Sequence, residues 1–536
     1  MAARRAKGDA LRAAGIDPYP YSFQRSHSVE ELAKERFALL VRVGAEVAVP
    51  GRAMAQRKHG RLCFIDIGSV RNGQKIQLMA ASAQLDRASN AVLEAIDLGD
   101  WIGGAGWPMY TRTGQETILV NRLAMLTKAL RPLPNFKGTE VRDSELLARM
   151  PELAMLFGEK RHVLRQRAII LGTLRRVLQA RGLTEVETPY LNPCFGGAEA
   201  RPFTTHVNAL DLDVFLAVSP EIELKRLIVG GLEEGVFTIA RNFRNEGIDA
   251  SHNPEFTSVE IYIPYTDYED MMGLTEEIFS ACCTAVHGEP RCRYGDVLLD
   301  FTPPWRRVPV VEAVEEATGI PVSGIDADAL RAECAARGLY KGCDPVRMLR
   351  GELLVTLDDA GVPSPPGNYE GLTDDDLRTA IKRHRLHVPM DLSREWDFLV
   401  LDLFESFVEP TLVQPCHVML HPARSTVLCK KYRGGPLPNG HELVERFESY
   451  ALGMELSNAY SELNDPELQR RLVEEQAISR AAGNDEAMPH NELFLRSIEY
   501  GMPPCGGLGI GVDRMVMLIS GMTSIRDVIA FPLVRP

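Results

Sequence analysis

The sequence predicts an α+β protein in two parts, and three observations carry that expectation. Between residues 45 and 130, five short segments alternate apolar and polar residues: EVAVPGRAMAQR, LCFIDIGS, QKIQLMA, DWIGGAGWPMYT and ETILVNRLAML. Five short strands with Gly-rich turns suit a small Greek-key β-barrel of the oligonucleotide-binding (OB-fold) type. Further on, Arg241 to Tyr262 (RNFRNEGIDASHNPEFTSVEIY) reads as two antiparallel strands joined by a polar loop. Near the end, GGLGIGVDRMVML (Gly506–Leu518) reads as a glycine-rich strand that opens into an apolar helix. The last two place an antiparallel sheet flanked by helices in the larger, C-terminal part.

The chain has 536 residues, enough for two to four domains with ample core. A hydrophobic fraction of 45% and a charged fraction of 25% are those of a water-soluble globular protein. No apolar run is long enough to span a membrane, so no membrane partner is expected. The N-terminal MAARRAKGDALRAAG lacks the apolar core of a secretory signal. The ten cysteines show no CxxC pair and no metal-ligand spacing, which points to reduced thiols in a cytoplasmic setting. A net charge of −13 argues against bulk nucleic-acid affinity but leaves room for a local basic face.

In chain order, 1–44 reads as a helical extension broken at Gly15, Pro18 and Pro20. Its Arg4, Arg5, Lys7 and Arg12 could line an RNA backbone, or simply face solvent. Residues 45–130 are the barrel, and 131–160 a Pro-punctuated linker. The larger domain, 161–536, opens with helical spacing at Val163, Ile169, Leu171, Leu174, Val177 and Leu178. Gly182 closes that helix, and TEVETPYL follows as a strand. Glu221, after Pro220, begins another helix, where a carboxylate suits the N-terminus. From about 320 to 395 the chain reads as an inserted segment with a basic patch, Lys382 to His387.

In the hairpin, Arg244 and Glu246 are two residues apart and on a strand would share a face, as would Phe256, Glu260 and Tyr262. Charge on an inward face is costly unless a ligand satisfies it. An ion-paired hairpin in an ordinary sheet reads the same pattern equally well. Glu448 and Glu455 lie seven residues apart, so a turn near Gly453 must intervene if both point inward.

Five stretches lift the ambiguity: GLTEVETPYL (182–191), GGAEARPF (196–203), the FRNEG-to-HNPEFT hairpin, SNAYSELND (457–465) and GLGIGVDR (507–514). Together they resemble the class II aminoacyl-tRNA synthetases, closest to the bacterial-type lysyl group. The likeness covers the chain except for about 320–395 and 422–444. It implies ATP-dependent activation of lysine, or a lysine-like amino acid, and transfer to tRNA, by a homodimer whose interface includes the helix from Arg161 and the Pro189 strand. It assigns Arg244 and Arg514 to catalysis, and the same two with Glu246, His252 and Phe256 to ATP. A guanidinium is a permanently charged fork for phosphate, and an aromatic face suits a base. It assigns Gly197, Glu221, Glu260, Tyr262, Asn458, Tyr460 and Glu462 to the amino acid, Glu448 and Glu455 to Mg²⁺, and Arg57, Phe64, Gln77 and Gln115 to the anticodon. Two carboxylates with phosphate oxygens suit Mg²⁺.

The sequence departs from the family pattern at several places. Gln115 replaces a usual glutamate, Tyr460 a usual phenylalanine and Met454 a common arginine. The stretch HPARSTVLCKKYRGGPLPNGHELV is unlike the expected run, and Arg424, Lys430 and Lys431 are candidates to replace its contacts. These departures keep two alternatives open: a divergent paralogue serving another acceptor, and a catalytically silent RNA-binding homologue.

Overall fold

The structure, a computed structural model, describes residues 1–32, 34–68, 74–133, 147, 149–157, 160–342, 387–389, 394–481 and 489–534. The chain divides into two compact units, Met1–Arg161 and His162–Arg535.

The first unit holds β1 (Val47–His59), β2 (Leu62–Gly68), β3 (Lys75–Ala81), β4 (Trp101–Tyr110) and β5 (Glu116–Thr127). They close into a barrel of order β1-β2-β3-β5-β4. Alternation decides what fills it: Cys63, Ile65 and Ile67 point inward and are buried, as do Ile76, Leu78 and Ala80. Phe64, between two inward residues, lies on the outer face. A helix over Arg87–Ala95, capped by Asp86, joins β3 to β4 and had no counterpart in the sequence reading. The N-terminal extension forms helices at Ala2–Ala13 and Lys34–Val43. Two of its basic residues are committed within the unit: Arg4 donates to the carbonyls of Leu98 and Ala129, and Lys7 pairs with Asp97 at 2.6 Å. They pin the helix to the barrel and are not free for RNA, because their partners are short, part-buried contacts.

The second unit is organised on one eight-stranded sheet. Its strands are β6 (Thr184–Glu185), β10 (Val236–Phe243), β11 (Glu255–Pro264), β14 (Arg306–Pro309), β17 (Cys416–Met419), β18 (Arg446–Ala451), β19 (Met454–Ser461) and β20 (Cys505–Gly511). The order is β14-β17-β18-β19-β20-β11-β10-β6. The sheet is antiparallel except at its two outermost pairs, β14–β17 and β6–β10, which are parallel. Smaller ribbons pair β7 (Leu191–Asn192) and β8 (Thr204–Val207) with β9 (Leu212–Leu216), β12 (Arg291–Tyr294) with β13 (Val297–Asp300), and β15 (Tyr340–Gly342) with β16 (His387–Pro389). Helices Lys160–Ala180, Tyr268–His287 and Val512–Ser520 contribute to the main core beside the sheet.

Three expectations change. TEVETPYL is not one strand: only Thr184–Glu185 and Leu191 onward pair, because Pro189 interrupts the ladder between them. Ile169 is 45% exposed, and Ile170 takes the buried position. The segment read as an insert at 320–395 packs into the domain at its start: Ile320, Val322, Leu330 and Cys334 belong to the main core, and β15 pairs with β16 near its far end. The basic patch at 382–387 lies outside the described residues apart from His387, which pairs with Gly342.

Candidate active site

The hairpin is real, but its charge sits at the turn. β10 ends at Phe243 and β11 starts at Glu255, so Arg244 and Glu246 lie in the loop and not on a strand. The Arg244 N–H donates to Pro254 O at 2.9 Å, closing the loop's neck. Its guanidinium lies 5.1 Å over the Phe256 ring, and its Nε donates weakly to Val218 O. Burial lowers the Arg244 pKa, while Glu246, Glu455 and Glu260 nearby oppose the shift. Glu246 is exposed and accepts from the Arg201 N–H at 3.4 Å. Arg514, in the first turn of helix Val512–Ser520, donates to Glu455 O at 2.7 Å and to His252 Nε2 at 3.0 Å. A guanidinium can only donate, so His252 Nε2 accepts and Nδ1–H faces Asp249, 3.0 Å away.

The next residues come from the hairpin β18–β19. Leu452 and Gly453 turn it, both with positive φ. Tyr450 pairs with Glu455, but Ser449 pairs with Ser457 and Glu448 with Asn458. Leu456 is therefore an extra residue, a β-bulge. The turn puts Glu455 on the face of Glu448, and the bulge brings Asn458 and Tyr460 onto that face too. Arg446 pairs with Glu448, donates to Asn458 Oδ1 and lies 5.8 Å over the Tyr460 ring. Burial would raise the Glu448 carboxyl. Arg446, with His421 and Tyr450, instead holds it below the usual carboxylate range. Among the described residues no group of three or more His, Cys, Asp or Glu gathers as a metal site.

At the other end of this face lies a buried acidic cluster. Glu221 begins helix Glu221–Val229 and Glu462 follows β19; both are buried. Lys225, one turn after Glu221, is fully buried between them, 2.6 Å from Glu221 and 2.5 Å from Glu462. No aligned hydrogen bond reaches either Glu462 oxygen. Burial pushes the Glu462 carboxyl up to about 8; Lys225 opposes the shift and Glu221 adds to it. Glu260 on β11 is likewise pushed up to about 8, by burial and then by Glu221. Burial raises the Tyr262 phenol well above its ordinary value.

Glycine makes room for this cluster. A Cβ on Gly507 of β20 would meet Glu462 Oε1 at 1.8 Å and Tyr262 Cε1 at 2.7 Å. Gly197, at φ +82°, packs so tightly that a Cβ would meet Glu221 Cβ at 2.9 Å. The arrangement joins arginines suited to phosphate, a face of carboxylates, and an acidic cluster of three carboxylates with one buried ammonium among them. That is chemistry for a nucleotide and an amine side by side.

Residues 143–535 match the family described as tRNA synthetases class II (D, K and N). The chain belongs to this family. Similar proteins extend over almost its whole length. It is 38% identical to a lysine–tRNA ligase of Carboxydothermus hydrogenoformans, covering 99% of this chain and 97% of that one. It is 38% identical to a lysine–tRNA ligase of Chloroflexus aurantiacus, covering 100% and 98%. It is 39% identical to a lysine–tRNA ligase of Prochlorococcus marinus, covering 99% and 96%.

In this class II synthetase the residues expected at the RNA face also come together. Arg57 pairs across the ladder with Phe64, and Asp66 with Gln77, on the barrel's outer face. Arg57 and Asp66 form a two-pronged salt bridge at 2.8 and 3.0 Å. Gln115 is exposed in the β4–β5 turn. Sequence reading missed Asp66, Lys225, Arg446 and His421. Only Lys225 carried a signal, four residues after Glu221 on one helix. The unusual 422–444 stretch joins the site through backbone, with Cys429 bridging Glu462 and Ser425 O accepting from Arg446. Arg424 and Lys431, the candidates to replace the missing contacts, pair at the surface with Glu395 and Glu442, their own side chains more than half exposed. Among the described residues, no helix is long and apolar enough to cross a membrane.

Proposed function

We propose that this class II synthetase is an ATP-dependent lysine–tRNA ligase. The observation that carries the reading is the acidic cluster of buried Glu221 and Glu462 with half-buried Glu260, beside the Arg244–Arg514 end of the same sheet. Three carboxylates gathered about a single ammonium, that of Lys225, call for further cationic charge. An amino acid with a second ammonium supplies it, and an acidic or simple apolar one does not.

Lysine's side chain would enter the Glu462–Tyr262 end, with its α-amine toward Glu221 and Gly197. Its carboxylate would then face Arg244 and attack the α-phosphorus of ATP, releasing pyrophosphate. Asn458 and Tyr460 line the way between the two ends. Arg244 and Arg514 hold phosphate charge, His252 and Glu246 help hold the nucleotide, and adenine stacks on the Phe256 face that Arg244 leaves open. Catalysis is then positioning and charge neutralisation, with no covalent enzyme intermediate. Glu448 and Glu455 suit Mg²⁺: both are hard oxygen donors on one face, and the nucleotide's phosphates would complete the set. The ion, when bound, neutralises phosphate charge.

The adenylate is next transferred to a tRNA terminal ribose hydroxyl. Arg57, Phe64, Gln77 and Gln115 on the barrel would read the anticodon. A homodimer in the cytoplasm completes the reading, and Ile169, Tyr190 and Leu191 give the exposed apolar surface for its interface. Charging of total tRNA with labelled lysine tests the acceptor. Lysine-charged tRNA is the expected product; lysine activation without charging would favour the paralogue with another acceptor.

A further inference from the structure

We propose that Lys225 is a resident counter-ion that sets the charge of the amino-acid site so that it accepts a diamino acid. The inference rests on the lysine reading above and deepens it. Lys225 is 0% exposed, and its ammonium lies within 2.6 Å of carboxylates from two different elements. Nothing about helix stability requires that burial, since an i, i+4 pair serves a helix as well in solvent.

The charges close only when Lys225 is counted. With lysine bound and the carboxylates ionised, Glu221, Glu260 and Glu462 bring three negative charges, and Lys225 cancels one. Two remain, which is the number of ammonium groups lysine carries. The neighbouring cations are spoken for: Arg446 by Glu448, and Arg244 by the substrate carboxylate and α-phosphate. A monoamino acid would leave one carboxylate buried without a counter-charge, a costly state in a water-poor site. Lys225 also ties Glu221 to Glu462, so the groups facing the two ends of the substrate are set by one ammonium. It is a positioning and specificity residue and touches no reacting atom.

Two comparisons by calorimetry test this, with lysine as ligand and the KM for ATP as control. Lys225→Met should bind lysine at least about tenfold more weakly than wild type, with the KM for ATP within about twofold. Adding Glu221→Gln restores the count of two, so K225M/E221Q should bind lysine more tightly than K225M. It should also bind more tightly than E221Q alone, which leaves one charge too few. That second comparison stands even where K225M fails to fold. Equal or tighter lysine binding by K225M would overturn the proposal, making Lys225 a placeholder that competes with substrate. A double variant weaker than both single variants would overturn it too, leaving Lys225 a purely structural role. Wild-type protein that binds no lysine would sink the substrate reading instead, and that result is seen before any variant is compared.

Discussion

Glu455 and Asn458 stand on the same face of the sheet although they are three positions apart on one strand. On a regular strand they would point to opposite faces. The extra residue, Leu456, resolves this and lets one strand serve both the carboxylate pair and the amino-acid end. Inserting one alanine after Leu456 adds a second extra residue to the strand and should send one of the two sets to the wrong face. Lysine-dependent pyrophosphate exchange is expected to fall by more than ~10²-fold, since misplacement of about 1 Å already costs that much. Leu456→Ala keeps the register; it should lower stability by about 2–5 kcal/mol and retain most activity where folded. Equal activity of the two variants would refute the register argument.

Gly507 gives a second handle on the same site. A methyl there has no room beside Glu462 and Tyr262. Gly507→Ala should raise the KM for lysine by about tenfold or more through overpacking, and leave the KM for ATP nearly unchanged. An unchanged KM for lysine would show that Glu462 does not meet the substrate.

The buried carboxylates make lysine binding depend on pH. Glu260 and Glu462 titrate at about 8 in the folded protein. An unfolded glutamate titrates near ~4.3, so at pH 7 the folded state holds protons that the unfolded chain has lost. Stability from these protonated groups is fully present below about 4.3 and is lost as pH rises through about 8. Lysine needs the ionised form, so its affinity should rise as pH rises toward about 8, at most about tenfold per pH unit for each of the two groups. The melting temperature without lysine should drop between about pH 5 and 8 and level off above, and saturating lysine should reduce the drop. A flat affinity profile with no proton release in calorimetry would contradict the assignment.

Much of the fold was legible because period-two alternation is a strong signal. All five barrel strands, the hairpin around Arg244 and the turn at Gly453 could be read. The break at Pro189 was misjudged because a run of strand-forming residues masked it. The bulge at Leu456 left no trace in the sequence, since nothing marks an unpaired residue inside an alternating strand. Arg244 and Glu246 were put on a strand for the same reason: their spacing fits, but pairing ends at Phe243. The fold gathers the residues expected from the named motifs on one face of the sheet, while Arg446 and His421 were missed because their contacts depend on strands that meet only in the fold. Lys225 carried only its spacing from Glu221, and its place between two carboxylates depends on Glu462 arriving from another element.

On the barrel, Phe64 sits on the outer face beside the Arg57–Asp66 pair. Phe64→Ala should weaken tRNA binding by ~1–3 kcal/mol, the range for loss of a base-stacking platform. Amino-acid activation without tRNA should stay unchanged. Filter binding and pyrophosphate exchange on the same variant separate the two; a loss of exchange would mean Phe64 supports folding and not RNA.

The central claim is that this site activates lysine. Amino-acid-dependent ATP–pyrophosphate exchange, run with each standard amino acid and with shorter diamino acids, tests it most directly. The account predicts exchange with lysine, weaker exchange with shorter diamino acids, and none with norleucine, glutamine or acidic amino acids. Exchange driven by a monoamino acid, or none with any amino acid, would contradict it.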